Sequence, residues 1–327
     1  MESLTLGRSS LNVSRIGLGG LPFSGQYGPI DKEDILRTTR AAVEGGITFF
    51  DTSPSYSRAV RAGRQGLAET FLSEALGADR DAVVIATKSG TTPAHSFSKW
   101  HANDRLAIAR QVEESLKHLR RNRIDLYCIP EADPRSSLSE IMSALEELRE
   151  AGKVRAIGFC TTETAALREV LQYGRVDAVL APYNILNRTI EAELAPFCRA
   201  TRISILACEP FCRGLLLGGM HKHSAFDRAD LRVEDKRFRG ERFRQNIELV
   251  NRLRSLAYQE GLSLMQLALG WVLQNAAVSV AICGAKTHQQ IGEAIAAADV
   301  QLTPEQINAI DQIVGDDVLQ HAEGSEQ

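Results

Sequence analysis

Several things are scarce in this chain, and each scarcity removes a class of function. Aromatic residues make up only 6% of the 327 positions, too few for the stacking platforms that hold single-stranded nucleic acid. Neither sign of charge dominates: 38 Lys and Arg face 41 Asp and Glu, a formal net charge of −3. No basic field therefore marks a nucleic acid or an anionic membrane as partner. No apolar run approaches the ~20 residues of a membrane-crossing helix. The first residues lack the charged start and apolar stretch of a secretory leader, so a cytoplasmic location is expected. The six cysteines, Cys128, Cys160, Cys198, Cys208, Cys212 and Cys283, are widely spread and form no CxxC pair. They read as small, reduced core residues, not as a zinc or redox framework, and no metal ligands are assigned.

What is present is a large apolar fraction, 44%, arranged in alternating periods. Short apolar runs at 14–19, 47–50, 82–87, 124–129, 154–159, 176–181, 203–207 and 278–283 predict eight strands. Several are apolar throughout, as parallel strands buried on both faces are. Helical patterns separate them at 32–44, 67–76, 105–120, 138–151, 163–171, 190–200, 245–260, 265–274, 288–298 and 304–314. Asp31 is a candidate N-cap, and glycines 45, 77 and 152 stop their helices. Ser137 with Glu140, Thr287 with Gln290, and Thr303 with Gln306 have capping-box spacing, the last with Pro304 at the first helical position. Eight strands alternating with helices predict an α/β fold, a (β/α)8 TIM barrel over residues 1–315 with an N-terminal β-hairpin and extra C-terminal helices. Residues 316–327 read as a frayed tail. A doubly wound sheet is the alternative, but Gly17-Leu18-Gly19-Gly20 lacks the last glycine of a dinucleotide fingerprint. The long connection 213–244 is either a solvated surface or a flap over an anionic ligand.

In a barrel of this kind chemistry sits where strands end. One strand leads into Asp51-Thr52-Ser53-Pro54-Ser55-Tyr56, and the next into Lys88. A Lys⁺ held by Asp⁻ can stabilise a phenolate and lower the pKa of Tyr56, which could then exchange a proton with an alkoxide. A structural Asp51–Lys88 ion pair beside a loop aromatic fits the same spacing. Lys286, at the start of a helix with free N–H groups, suits a phosphate. Gln290 and Glu293 lie one turn further on, although a helix cap and a surface lysine would give the same local pattern.

These segments resemble the aldo-keto reductase family from about residue 4 to residue 314. The likeness runs through Ile16-Gly17-Leu18-Gly19-Gly20, Gly45-Gly46-Ile47-Thr48-Phe49-Phe50-Asp51 and Ala86-Thr87-Lys88. It continues through Gly152-Lys153-Val154-Arg155-Ala156-Ile157-Gly158, Pro182-Tyr183-Asn184, Gly214-Leu215-Leu216 and Gln266-Leu267-Ala268-Leu269-Gly270-Trp271. The resemblance implies an NADP(H)-dependent oxidoreductase acting on a small carbonyl or alcohol substrate. Tyr56 would be the general acid, with Asp51 and Lys88 tuning it. Cofactor contacts would come from Gly19, Asp51, Cys160, the Pro210-Phe211 and Arg213-Gly214-Leu215 loop, and Lys286, Gln290 and Glu293.

Four departures from the family cluster around the reacting ring. Pro130 stands where a histidine is usual, Cys160-Thr161 where Ser-Asn is common, Leu180 near an expected Gln, and Cys208 in place of a stacking aromatic. Glu131 and Glu209 are therefore candidate acids whose pKa a dry barrel mouth would raise, or else rim carboxylates. His95 or His101 could supply the missing donor. Arg58, Arg61 or Arg64 could clamp an anionic substrate group. A rebuilt ring pocket also fits a non-redox acid–base enzyme (a lyase or isomerase) or a non-catalytic, cofactor-sensing subunit. No heptad or apolar stripe sets an oligomeric state.

Overall fold

The computed structural model describes residues 1–56, 65–89, 105–130 and 137–315. Glu131, His95, His101, the arginines at 58, 61 and 64, the 91–103 segment and the 316–327 tail lie outside the described residues. Strands β1 (Ser3–Thr5) and β2 (Asn12–Ser14) form an antiparallel hairpin. Eight parallel strands follow: β3 (Ile16–Gly19), β4 (Phe49–Asp51), β5 (Val84–Lys88), β6 (Ile124–Pro130), β7 (Val154–Cys160), β8 (Ala178–Pro182), β9 (Ser204–Cys208) and β10 (Val278–Gly284). Each pairs with its neighbour in chain order, and β10 pairs with both β9 and β3, so the sheet closes on itself. Closure removes both edges and overturns the doubly wound alternative.

Side-chain alternation sorts each strand into an outward and an inward set. Phe50, Ile85, Tyr127 and Ile157 join the larger apolar cluster, shared with the helices, whereas Phe49, Val84, Leu126 and Ala156 fill the barrel interior. Leu6, Leu11 and Val13 from the hairpin belong to that interior cluster and plug the N-terminal end of the barrel. Gly17 must be glycine for packing: a Cβ there would lie 2.7 Å from the Phe49 ring. Among the described residues, no helix is long and apolar enough to cross a membrane.

The surrounding helices are α1 (Lys32–Glu44), α2 (Leu67–Leu76), α3 (Arg105–Leu119), α4 (Leu138–Glu150), α5 (Thr164–Val170), α6 (Leu194–Thr201), α7 (Gly240–Gln259), α8 (Leu264–Gln274), α9 (His288–Ala297) and α10 (Pro304–Val314). Three expectations needed correction. The first barrel strand starts at Ile16, because Ser14 turns the corner from the hairpin, its hydroxyl donating to the Ile16 carbonyl at 2.7 Å. The helix expected over 190–200 splits into a 3₁₀ turn at Thr189–Glu191 and α6. Proline lacks an N–H and is tolerated only in the first turn of a helix, and Pro196 lies in the first turn of α6. α7 begins at Gly240, five residues before the expected 245, because Phe243 carries its apolar stripe one turn further, against Phe226 and Phe238.

The caps follow the sequence unevenly. Thr303 and Gln306 complete a reciprocal capping box, and so do Ser263 and Gln266. Ser137 accepts from the Glu140 N–H only. Asp31 sits at the N-cap of α1 without a side-chain bond. Thr287 caps α9, but the Gln290 side chain accepts from the Lys286 N–H at 2.8 Å and so organises the turn before the helix.

Candidate active site

The interior alternation that buries Phe49 and Val84 sets Asp51 and Lys88 at the C-terminal mouth. Strands β3, β4 and β5 end on Gly19, Asp51 and Lys88; β6, β7, β9 and β10 end on Pro130, Cys160, Cys208 and Gly284. All seven line one elongated cleft of about 770 Å³, a volume usual for small-molecule sites. The position of each follows from a two-residue period and a strand end, as barrel geometry requires.

At one end of the cleft two chemical groups converge on the Asp51 carboxylate. The Lys88 ammonium donates to Asp51 Oδ1 and, at 3.1 Å, to the Thr52 carbonyl. The Tyr56 hydroxyl donates to Asp51 Oδ2 at 3.2 Å, long for an O–H···O bond. The Lys88 Nζ lies 4.9 Å from the centre of the Tyr56 ring. Tyr56 returns to the mouth on a tight turn: its N–H bonds to the Ser53 carbonyl at 3.1 Å, and the Ser53 and Ser55 hydroxyls pair at 2.8 Å. The Thr52 N–H bonds to the Ala86 carbonyl at 2.9 Å and extends the β4–β5 ladder under this turn.

The electrostatics correct the expectation of an acidic phenol. Burial, and then the Asp51 carboxylate, push the Tyr56 pKa well above 10, with Lys88 opposing them. Burial works against the Lys88 ammonium, but Asp51 and Tyr56 outweigh it and raise its pKa. The Tyr56 phenol and the Lys88 ammonium therefore both carry their protons at neutral pH.

Around this centre stand thiols. Cys128 is hydrogen-bonded to Cys160, which, with burial, raises the Cys128 pKa. Burial, followed by Glu209 and Asp51, does the same for Cys208. Pro130 faces the cleft with neither a side-chain donor nor an N–H. Glu209 is not a neutral acid. Burial opposes its charge, but Arg213 and Arg237 lower its pKa and keep it ionised. Its carboxylate accepts from Arg213 Nε at 2.7 Å and from Arg237 Nη2 at 3.0 Å.

The middle and far end of the cleft carry the remaining candidates. Pro210, Phe211, Arg213, Gly214, Lys286, Gln290 and Glu293 line it; Leu215 is fully buried behind them. Gly214 sits at φ +90°, a left-handed conformation that favours glycine. Sequence reasoning missed Arg232, which lines the same end as Lys286 and is held by Asp230 at 2.9 and 2.7 Å. Burial, and then Arg232, lower the Lys286 pKa. Arg232 also lies over the Tyr27 ring at 5.3 Å, and the Leu231 N–H bonds to the Gln26 carbonyl at 3.0 Å. The 218–239 strap therefore spans the cleft from the β9 side to the β3 loop. Leu217, Met220, Leu264 and Met265 supply an apolar wall there.

Glu69 was also missed. Fully buried on α2, it accepts from Thr87 Oγ1 at 2.7 Å and pairs with His118 Nδ1 at 2.9 Å. It thereby ties α2 and α3 to the strand end that carries Lys88. Its signal in the sequence was a glutamate aligned with Leu72, Ser73 and Leu76 on the buried face of α2, where a charge is found only when paired.

Comparisons with known proteins bear on the family and the fold. Residues 15–315 match the model of the aldo/keto reductase family. The chain is 32% identical over 295 residues to the aldo-keto reductase YhdN of Bacillus subtilis (strain 168), covering 89% of this chain and 87% of that one. It is 29% identical over 322 residues to an NADH-specific methylglyoxal reductase of Escherichia coli (strain K12), covering 93% and 95%. Among solved structures it resembles the glycerol dehydrogenase AKR11B4 from Gluconobacter oxydans, with TM-score 0.82, 28% identity and coverage of 95% and 94%. It also resembles the holo form of the aldo-keto reductase AKR11C1 from Bacillus halodurans, with TM-score 0.77, 26% identity and coverage of 96% and 97%.

Proposed function

The chain belongs to the aldo/keto reductase family, and from that premise we propose that it moves a hydride between NADP(H) and a carbonyl or alcohol carbon, with Tyr56 handling the proton. The observation that carries this reading is the convergence of Tyr56, Lys88 and Asp51 at one end of a long cleft.

The lining suits a dinucleotide along its length. Lys286 and Arg232 offer cationic donors for phosphate, and the Leu217–Met265 wall offers an apolar face for a base. Gln290 and Glu293 present an amide and a carboxylate for polar edges. The cofactor, when bound, supplies the hydride. The protein's own residues supply the rest. The Tyr56 hydroxyl turns from Asp51 to the substrate oxygen and gives up its proton there. The phenolate left behind is met by the Lys88 ammonium, which Asp51 holds in place. Because the phenol keeps its proton through neutral pH, reduction does not fade until the medium is alkaline.

NADPH is the preferred form in this reading, on the strength of Lys286 beside Arg232. The Escherichia coli relative is named as NADH-specific, so the two forms are titrated side by side. The decisive experiment is fluorescence or calorimetric titration of purified protein with NADPH and NADH, followed by an aldehyde and ketone panel. No binding of either form at millimolar concentration ends the proposal.

A second reading draws on the thiols. Pro130, Cys160 and Cys208 bring neither a side-chain amide nor an imidazole to the reacting end among the described residues, which suits elimination or isomerisation by Tyr56 and Lys88. Steady NADPH oxidation that Tyr56→Phe abolishes rules it out.

A further inference from the structure

We propose that Glu209 sets how tightly the cleft holds a phosphate-bearing ligand, by occupying the guanidinium group of Arg213, which lines the cleft beside it and would otherwise receive that ligand. The inference rests on the cofactor reading above but concerns a residue that reading does not use.

Glu209 is the first residue after β9 and lines the middle of the cleft beside Arg213 and Gly214. Its two carboxylate oxygens are divided between two arginines, at 2.7 Å and 3.0 Å. Asp235 takes the same two arginines from the far side, Arg213 at 3.2 Å and Arg237 at 2.7 Å. Asp235 and Arg237 stand behind the lining, on the strap, so the carboxylate exposed to a ligand is that of Glu209.

The charges of this cluster cancel: two guanidinium groups face two carboxylates. A phosphate reaching the middle of the cleft thus meets no net cation, and it meets an anion already bonded to the donors it needs. The carboxylate is not free to swing away. Glu209 has φ +54°, a left-handed conformation that a non-glycine residue adopts only when its surroundings hold it there. Asn184 Nδ2 fixes the Glu209 carbonyl at 2.9 Å. The two arginines also keep this buried carboxyl ionised at neutral pH, so the competing charge is always present.

Removing one charge a few ångströms from a bound phosphate, at the effective dielectric of a partly buried site, is worth about tenfold in affinity or more. Glu209→Gln keeps the shape and discards the charge. The test titrates inorganic pyrophosphate, and separately NADPH, into the wild-type protein and this variant by calorimetry at low ionic strength, with a thermal melt to verify folding. The variant is expected to bind both about tenfold more tightly, with a steeper loss of affinity as salt is added. Unchanged or weaker pyrophosphate binding by folded Glu209→Gln overturns the inference.

Asp235→Asn provides the second arm and guards against a misfolded Gln variant. It removes the same charge from behind the lining but leaves Glu209 bonded to Arg213 in the cleft, so any gain in pyrophosphate affinity should fall well short of that of Glu209→Gln. A tenfold gain there overturns the assignment to Glu209. Wild-type protein that binds pyrophosphate but not NADPH would end the redox reading while leaving this test intact.

Discussion

The two ends of the cleft are built on different principles. The reacting end is made of strand termini: Asp51 and Lys88 are held by the β4–β5 ladder, and Tyr56 by a short turn directly after β4. Its geometry is as rigid as the barrel. The other end, where we propose that the nucleotide lies, is assembled from pieces distant in the chain: the loop after β9, the strap that carries Asp230 and Arg232, and the turn before α9 that carries Lys286. Its order depends on ion pairs and on a strap resting against the Gln26–Tyr27 backbone. Chemistry that tolerates little displacement sits on the rigid part, and binding that can be tuned by charge sits on the adjustable part.

If that division is correct, Tyr56→Phe should have the largest and most local effect. Turnover should fall by about 10²- to 10⁴-fold, while NADPH affinity, read by fluorescence titration, stays within about twofold. A matching loss of affinity would break the separation between the two ends. Asp51→Asn comes next. It strips the partner from a buried ammonium, and removing one member of such a pair costs about 3–5 kcal/mol. Denaturant unfolding should show that loss, and an unchanged midpoint would mean that Lys88 finds another partner.

Lys286→Met should act at the other end only. NADPH affinity should drop about tenfold, the usual worth of one charge-assisted phosphate contact. NADH affinity and the turnover of bound substrate should change little. Equal losses for the two cofactors would place the lysine somewhere other than the extra phosphate.

The smallest effect concerns the Glu69–His118 pair behind Lys88. The Glu69 hydrogen bond raises the His118 pKa above its ordinary value. The folded state therefore binds the proton more tightly, so the pair's stabilisation is complete below about pH 6.5 and is lost as pH rises through the higher folded-state pKa. For this partly exposed pair the change is under about 1 kcal/mol. Unfolding measured between pH 5.5 and 8.5 should show it, and His118→Gln should flatten the slope.

Much of the barrel was legible because period and punctuation agree. Runs such as 124–129 and 154–159 could only be buried strands, and Thr303-Pro304 with Gln306 announced a helix start that the structure reproduces as a full capping box. Boundaries were misread where a tertiary contact decided them. Phe243 extended α7 because it found Phe226 and Phe238, and nothing local says that those rings meet. The cluster of Asp51, Lys88 and Tyr56 was legible because two members end strands and the third follows on the short turn after β4. Arg232 was not, since a strap residue gains its place only from what the strap crosses.

The chain's own pattern of apolar residues determined eight strands alternating with helices, with Asp51 and Lys88 at strand ends, because the alternation of side chains along a strand is a local property; the pairing of β10 with β3 then decided that the sheet closes. Only the folded molecule decided which charges neutralise one another. It bound Glu209 to Arg213 and Arg237, paired Glu69 with His118, and raised the Tyr56 pKa by burying the phenol beside Asp51. Burial and charge proximity are sums over residues far apart in the chain, and no stretch of sequence contains them.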